Sequence, residues 1–240
     1  MSTVSWHDAN QRYLMARVAL VRERMANAPK GAEDEVTAAA GALPGPAALD
    51  TLCDAFRLSG FERDLLLLCA GVELDGGQAD APTFSLALSS LPEAHWSALT
   101  PAGPLRYWRL IEVGSGETLT RCPLRIDERV LHYLAGLDYT DVRLQGYITP
   151  VAPPDDLPAS QAAVADSIGQ LLSSGTAVQV MGDDHGDRLS VAAMACARIG
   201  VMLHSIHAAD LPGVTDRESL ARIWEREAVF SRSALLVDFV

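Results

Sequence analysis

The chain has 240 residues, about half of them apolar, and carries 31 Asp and Glu against 19 Lys and Arg, a net charge of −12. That length buries one large core or two small ones, and the acidic field opposes binding to nucleic acid or anionic lipid. No run approaches membrane-spanning length and the start lacks a basic-then-apolar signal pattern, so a soluble, cytoplasmic protein is expected. The charge divides evenly, residues 1–150 holding 19 acidic and 13 basic side chains and residues 151–240 holding 12 and 6, which leaves −6 in each part. Cys53, Cys69, Cys122 and Cys196 show no paired spacing and read as buried free thiols. Lys30 is the single lysine, so a lysine-dependent phosphate site could be served by no other residue.

In chain order, Trp6–Met25 predicts an amphipathic helix with Leu14, Val18, Val21 and Met25 on one face. Pro29–Pro46 is rich in Gly, Pro and Ala and reads as irregular. Ala47–Arg57 and Phe61–Leu74 follow as helices, the second apolar nearly all round and so central to a core. Thr83–Leu91 predicts a short helix. Tyr107–Val113 and Leu119–Ile126 predict two strands around the turn residues Gly114–Glu117, the second interrupted by Pro123. Asp127–Leu137 reads as a helix with Asp127 as N-cap. Helices followed by a hairpin are the order of a winged-helix domain, here residues 1–145.

Gln145–Pro158 contains Gly146, Pro150, Pro153, Pro154 and Pro158, and residues 146–158 read as a linker. Residues 159–240 then alternate: helix Ala159–Leu172, strand Thr176–Met181, helix Arg188–Gly200, strand Val201–Ile206, helix Asp216–Phe230 and strand Ser233–Val240. Such alternation implies a parallel α/β sheet with crossover helices.

The loop between Met181 and Arg188 has the layout of a P-loop with most of its chemistry replaced. A working P-loop reads Gly, four residues, then Gly-Lys-Ser/Thr between a strand and a helix. Gly182 matches the first position, whereas Asp187, Arg188 and Leu189 stand where the second Gly, the Lys and the hydroxyl belong. Asp183, Asp184 and Asp187 put three carboxylates in or beside the nest of amides that would cradle phosphate. Ala234–Asp238 has the form of a Walker B strand, four apolar residues ending in Asp238, with Phe239 where a catalytic Glu would stand. Gly182, Gly186, Arg188 and Asp238 therefore mark a vestigial nucleotide site, and no catalytic residue or metal ligand is assigned. His204 and His207 alternate to opposite faces of a strand, which argues against a metal pair. Arg217, Glu218, Arg222, Glu225, Arg226 and Glu227 read as a solvated, salt-bridged helix face. Arg106, Arg109, Arg121, Arg125 and Arg129 surround the hairpin, but Thr83–Leu91 lacks the Arg, Asn or Gln that read base edges, so DNA readout is disfavoured.

Phe61–Ala70, Pro104–Glu112, Pro123–Leu131, Ala209–Pro212 and Ile223–Ala228 together resemble the N-terminal portion of the large AAA+ ATPases associated with extracellular contractile injection systems. The resemblance implies a winged-helix variant domain joined to a degenerate first AAA module, with hydrolysis by a second module outside this chain. It implies ATP and Mg²⁺ as cofactors of the full-length family and none for this chain. It also implies protein partners for the winged-helix domain, an oligomer in the full-length context and no membrane association. The chain stops within or just after the third strand of such a sheet, so a fragment is expected. Two readings of other classes stay open: an ATPase fragment with residual nucleotide affinity, and a winged-helix DNA-binding regulator.

Overall fold

A computed structural model describes residues 5–26, 31–74 and 81–239; Lys30 lies outside these. The fold is mixed α/β and divides into two compact units, Met1–Tyr139 and Thr140–Val240.

In the first unit, α1 (Trp6–Ala26) buries Tyr13, Leu14, Val18 and Val21 at helical spacing. The stretch expected to be irregular contains α2 (Ala32–Gly41), which packs on α1. Glu33, Asp34 and Glu35 fill its first turn, where negative charge complements the helix dipole. The Glu23 carboxylate of α1 accepts from the Ala32 amide at 3.1 and 3.2 Å and secures the start. Helix α3 (Ala48–Phe56) ends at Arg57 in a left-handed conformation, φ 54°. Helix α4 (Gly60–Leu74) opens with a capping box: the Glu62 carboxylate accepts from the Ser59 amide at 2.9 Å and Ser59 Oγ from the Glu62 amide at 3.2 Å. Its apolar run is buried, and Asp64 at the start of that run holds Arg24 of α1 at 2.6 Å and Arg63 at 3.2 Å.

Thr83 caps α5 (Phe84–Ser90) by accepting from the Leu86 amide. The expected strand over Tyr107–Val113 is only half a strand: α6 (Pro104–Tyr107) precedes β1 (Ile111–Val113). Pro104 fixes a helical start, and Arg109 at φ 52° turns the chain before pairing begins. Likewise Leu119–Arg121 forms a 3₁₀ turn, and only β2 (Leu124–Ile126) pairs antiparallel with β1. Asp127 caps α7 (Glu128–Leu134) through the amides of Arg129 and Val130, as its position predicts.

In the second unit, β3 (Thr149–Val151) lies within the Pro-rich stretch 146–158, part of which is therefore sheet. Then come α8 (Ala159–Ser173), α9 (His185–Arg198), β4 (Met202–His207), α10 (Val214–Ser231) and β5 (Ser233–Asp238). The sheet order is β3-β4-β5, with β3 antiparallel and β5 parallel to β4. The expected all-parallel sheet is thus mixed, and α10 is the crossover between its parallel pair. Ala165 and Ile168 of α8 pack on Val191 and Ala195 of α9, and Ala192, Ala193 and Cys196 cover Leu203 of β4.

Thr176–Met181, expected as a strand, joins no ladder. Its pattern is that of a strand, with Val178 and Val180 packed on the α8–α9 cluster and Ala177, Gln179 and Met181 exposed. Among the described residues no strand pairs with it, and a ladder requires such a neighbour. Helix α10 also departs from its expected solvated face. Arg226 and Glu227 are not solvated but 0% and 1% exposed. Arg226 donates to Asp141 Oδ2 at 2.6 Å, and Asp141 also accepts from Arg143 at 2.6 and 2.9 Å. Burial drives the Asp141 carboxyl upward, but the hydrogen bonds and charge of Arg143, with the charge of Arg226, outweigh it and hold the group below the usual carboxylate range.

Candidate functional site

The C-terminal ends of β4 and β5 and the start of α9 converge in the second unit, the place where open α/β sheets present ligand sites. Parallel register sets His207 beside Asp238 at the last step of the ladder. Asp238 is buried, and its Oδ2 lies 3.6 Å from His207 Nδ1 and 3.3 Å from His185 Nδ1, the first residue of α9. Asp238 thus sits between two imidazoles, an arrangement that spacing in the sequence did not disclose. The signal visible in the sequence was a polar residue ending each strand, His207 after Ile206 in β4 and Asp238 after Val237 in β5.

In the loop Gly182–Arg188, the side chains of Asp184 and Arg188 bond to the loop's own backbone. Asp184 is the N-cap of α9, its carboxylate accepting from the Asp187 amide at 2.9 Å. That carboxylate occupies the helix N-terminus, where a phosphate oxygen would otherwise take the amide hydrogens. Gly186 leaves room for this cap, since a Cβ there would come within 3.2 Å of Asp184 Oδ1. Arg188 folds back, donating from Nη1 to the Gly182 carbonyl, with Nη2 3.5 Å from His185 Nδ1. The Gly182 position meets only the Arg188 side chain, at 3.6 Å, so close packing does not demand glycine there. Of the four sequence-marked residues, Gly182, Gly186 and Arg188 form one closed turn, and Asp238 joins it through His185.

A groove of about 630 Å³ opens beside this turn, lined by Val178–Gly182 on one side and Ala234–Phe239 on the other. Met181 and Phe239 stand at its mouth, 82% and 84% exposed. Among the described residues no group of His, Cys, Asp and Glu is arranged to hold a metal ion. His204 points away from the site, buried edge-on to Trp224 at 5.5 Å between ring centroids, and burial lowers its pKa. Three of the five hairpin arginines have local partners as well. Arg106 donates to the Leu99 carbonyl at 2.7 Å, Arg125 pairs with Glu73, and Arg129 is buried over the Tyr139 ring and beside Asp138.

Among the described residues no helix is long and apolar enough to cross a membrane. Comparison with protein-family models, curated proteins and solved structures finds no match for this chain.

Proposed function

We propose that this chain is the N-terminal, non-catalytic region of an AAA+ ATP-binding protein. In this reading the first unit is a winged-helix variant that engages protein partners, and the second is a P-loop-like scaffold that has given up its nucleotide. Hydrolysis belongs to a second module outside the chain, and assembly is the role left to this one. The observation that carries the reading is the Asp184 cap: the α9 N-terminus already has its anion, supplied by the chain itself. Three aspartates at the loop add repulsion, since one pair of like charges at 4 Å costs about 4 kcal/mol at an intermediate effective dielectric. Arg188, closed onto Gly182, is not extended toward a terminal phosphate.

Titration calorimetry with ATP and with ADP, each with Mg²⁺, tests the proposal. No heat of binding is expected at high nucleotide concentration. A saturable isotherm for either nucleotide would overturn it in favour of an ATPase fragment with residual affinity.

A further inference from the structure

Helix α10 and the face of β4 turned toward it meet at one ionisable ring. His204 is 5% exposed, and its ring centroid lies 5.5 Å from that of Trp224 with the planes inclined by 64°. Its neighbours across the sheet are Pro150 of β3 and Leu235 of β5, neither of them ionisable. The Nδ1 atom is buried and has no hydrogen-bond partner among the described residues. A bare Nδ1 lone pair is tolerable in a neutral ring, whose proton then sits on Nε2. A second proton would create an Nδ1–H with no acceptor and an unpaired charge away from water, and both are costly. The charged groups buried on α10 are Glu227 and Arg226, the latter donating to Asp141, which also holds Arg143. Burial alone lowers the His204 pKa, so none of these charges offsets the cost of protonation.

We propose that His204 is an acid-sensitive latch: a neutral ring keeps α10 seated on β4, and a proton on it unseats the helix while the α8–α9 side of the sheet stays in place. The two faces of β4 differ in what holds them. On the α9 side, Leu203 meets Ala192, Ala193 and Cys196, an uncharged contact. On the other side, α10 buries Ile223 and Phe230 beside Arg226 and Glu227, and its start at Gly213 has no side-chain cap. An uncompensated charge therefore acts on the less apolar of the two layers, and local opening needs less free energy than global unfolding. The folded-state pKa of His204 lies below its unfolded value of about 6.5, so the penalty is absent above that pH and grows as pH falls below it. That window is separate from the lower one in which the Asp141 carboxylate takes up its proton.

Amide exchange of the full chain at about pH 7.5 and about pH 5, corrected for the intrinsic pH dependence of exchange, tests the latch. Protection over Val214–Ser231 should fall severalfold at the lower pH, while that over His185–Arg198 is unchanged. The fall should disappear in His204→Gln and in His204→Leu, which cannot take up a proton. It should persist in the double variant His185→Gln and His207→Gln, which removes the two imidazoles beside Asp238. In the wild type, the His204 ring resonance should titrate by NMR with a midpoint below the usual histidine value. A constant protection of α10, an equal loss over α9, an undiminished fall in the His204 variants or its absence from the double variant overturns the proposal. So does a raised midpoint with firmer protection at low pH, the result expected if the Trp224 ring stabilises the imidazolium.

Discussion

Asp141 and Arg226 are 1% and 0% exposed at their side chains, which makes this pair asymmetric in its consequences. Replacing Asp141 by Asn strands a buried guanidinium. Its expected cost is about 3 kcal/mol or more, read as a fall in the urea midpoint of the second unit. Arg226→Met should cost less, since Asp141 keeps Arg143, whose side chain is 34% exposed and can relax into water. The same carboxylate sets an acid limit. Its folded pKa lies below the unfolded value, so the contribution is fully present above about pH 4 and disappears as pH falls through the folded value. Urea midpoints measured between neutral pH and pH 3 should fall in the wild type and change less in Asp141→Asn. A further prediction concerns thiols. Burial pushes Cys53 and Cys69 up to about 12, so both should resist a thiol reagent at pH 8 until denaturant is added.

At the scale of elements, the caps give the cleanest expectations. Ser59→Ala removes half of the capping box on α4, and Asp184→Ala removes the cap on α9; each should cost about 1 kcal/mol, measured by thermal or urea unfolding. Asp184→Ala carries a second readout. If the self-supplied carboxylate is what closes the loop to anions, the variant should gain weak phosphate affinity by calorimetry that the wild type lacks. What could be read from the sequence follows the range of the forces involved. The Asp127 cap, the buried face of α1 and the largely apolar α4 depend on neighbours three or four residues away, and those were legible. The strand pattern of Thr176–Met181 was legible too, as alternation, but pairing needs a partner from elsewhere and alternation does not show whether one exists. Arg226 and Glu227 misled for the same reason. A charged run on a helix looks solvated until a remote Asp141 is brought against it. In the candidate site, Gly182, Gly186, Arg188 and Asp238 were marked in the sequence, whereas the two histidines flanking Asp238 required the register between β4 and β5 and the docking of the α9 start.

For the whole molecule, charge sets the expectation. A net −12, spread evenly along the chain, and three of the five hairpin arginines already engaged with a carbonyl, a carboxylate and an aromatic ring leave little to attract a polyanion. No mobility shift of duplex DNA is expected even at low salt, and a salt-sensitive shift would revive the regulator reading. The three-stranded sheet has a different kind of asymmetry. At one end stands β3, three residues long with Pro150 at its centre, paired to β4. Short edge strands carrying proline are devices that stop further pairing. At the other end β5 presents six residues with none. Open-ended fibres need both margins, since each unit must give an edge and take one. The proline in β3 thus denies the sheet one of the two margins that open-ended stacking would use.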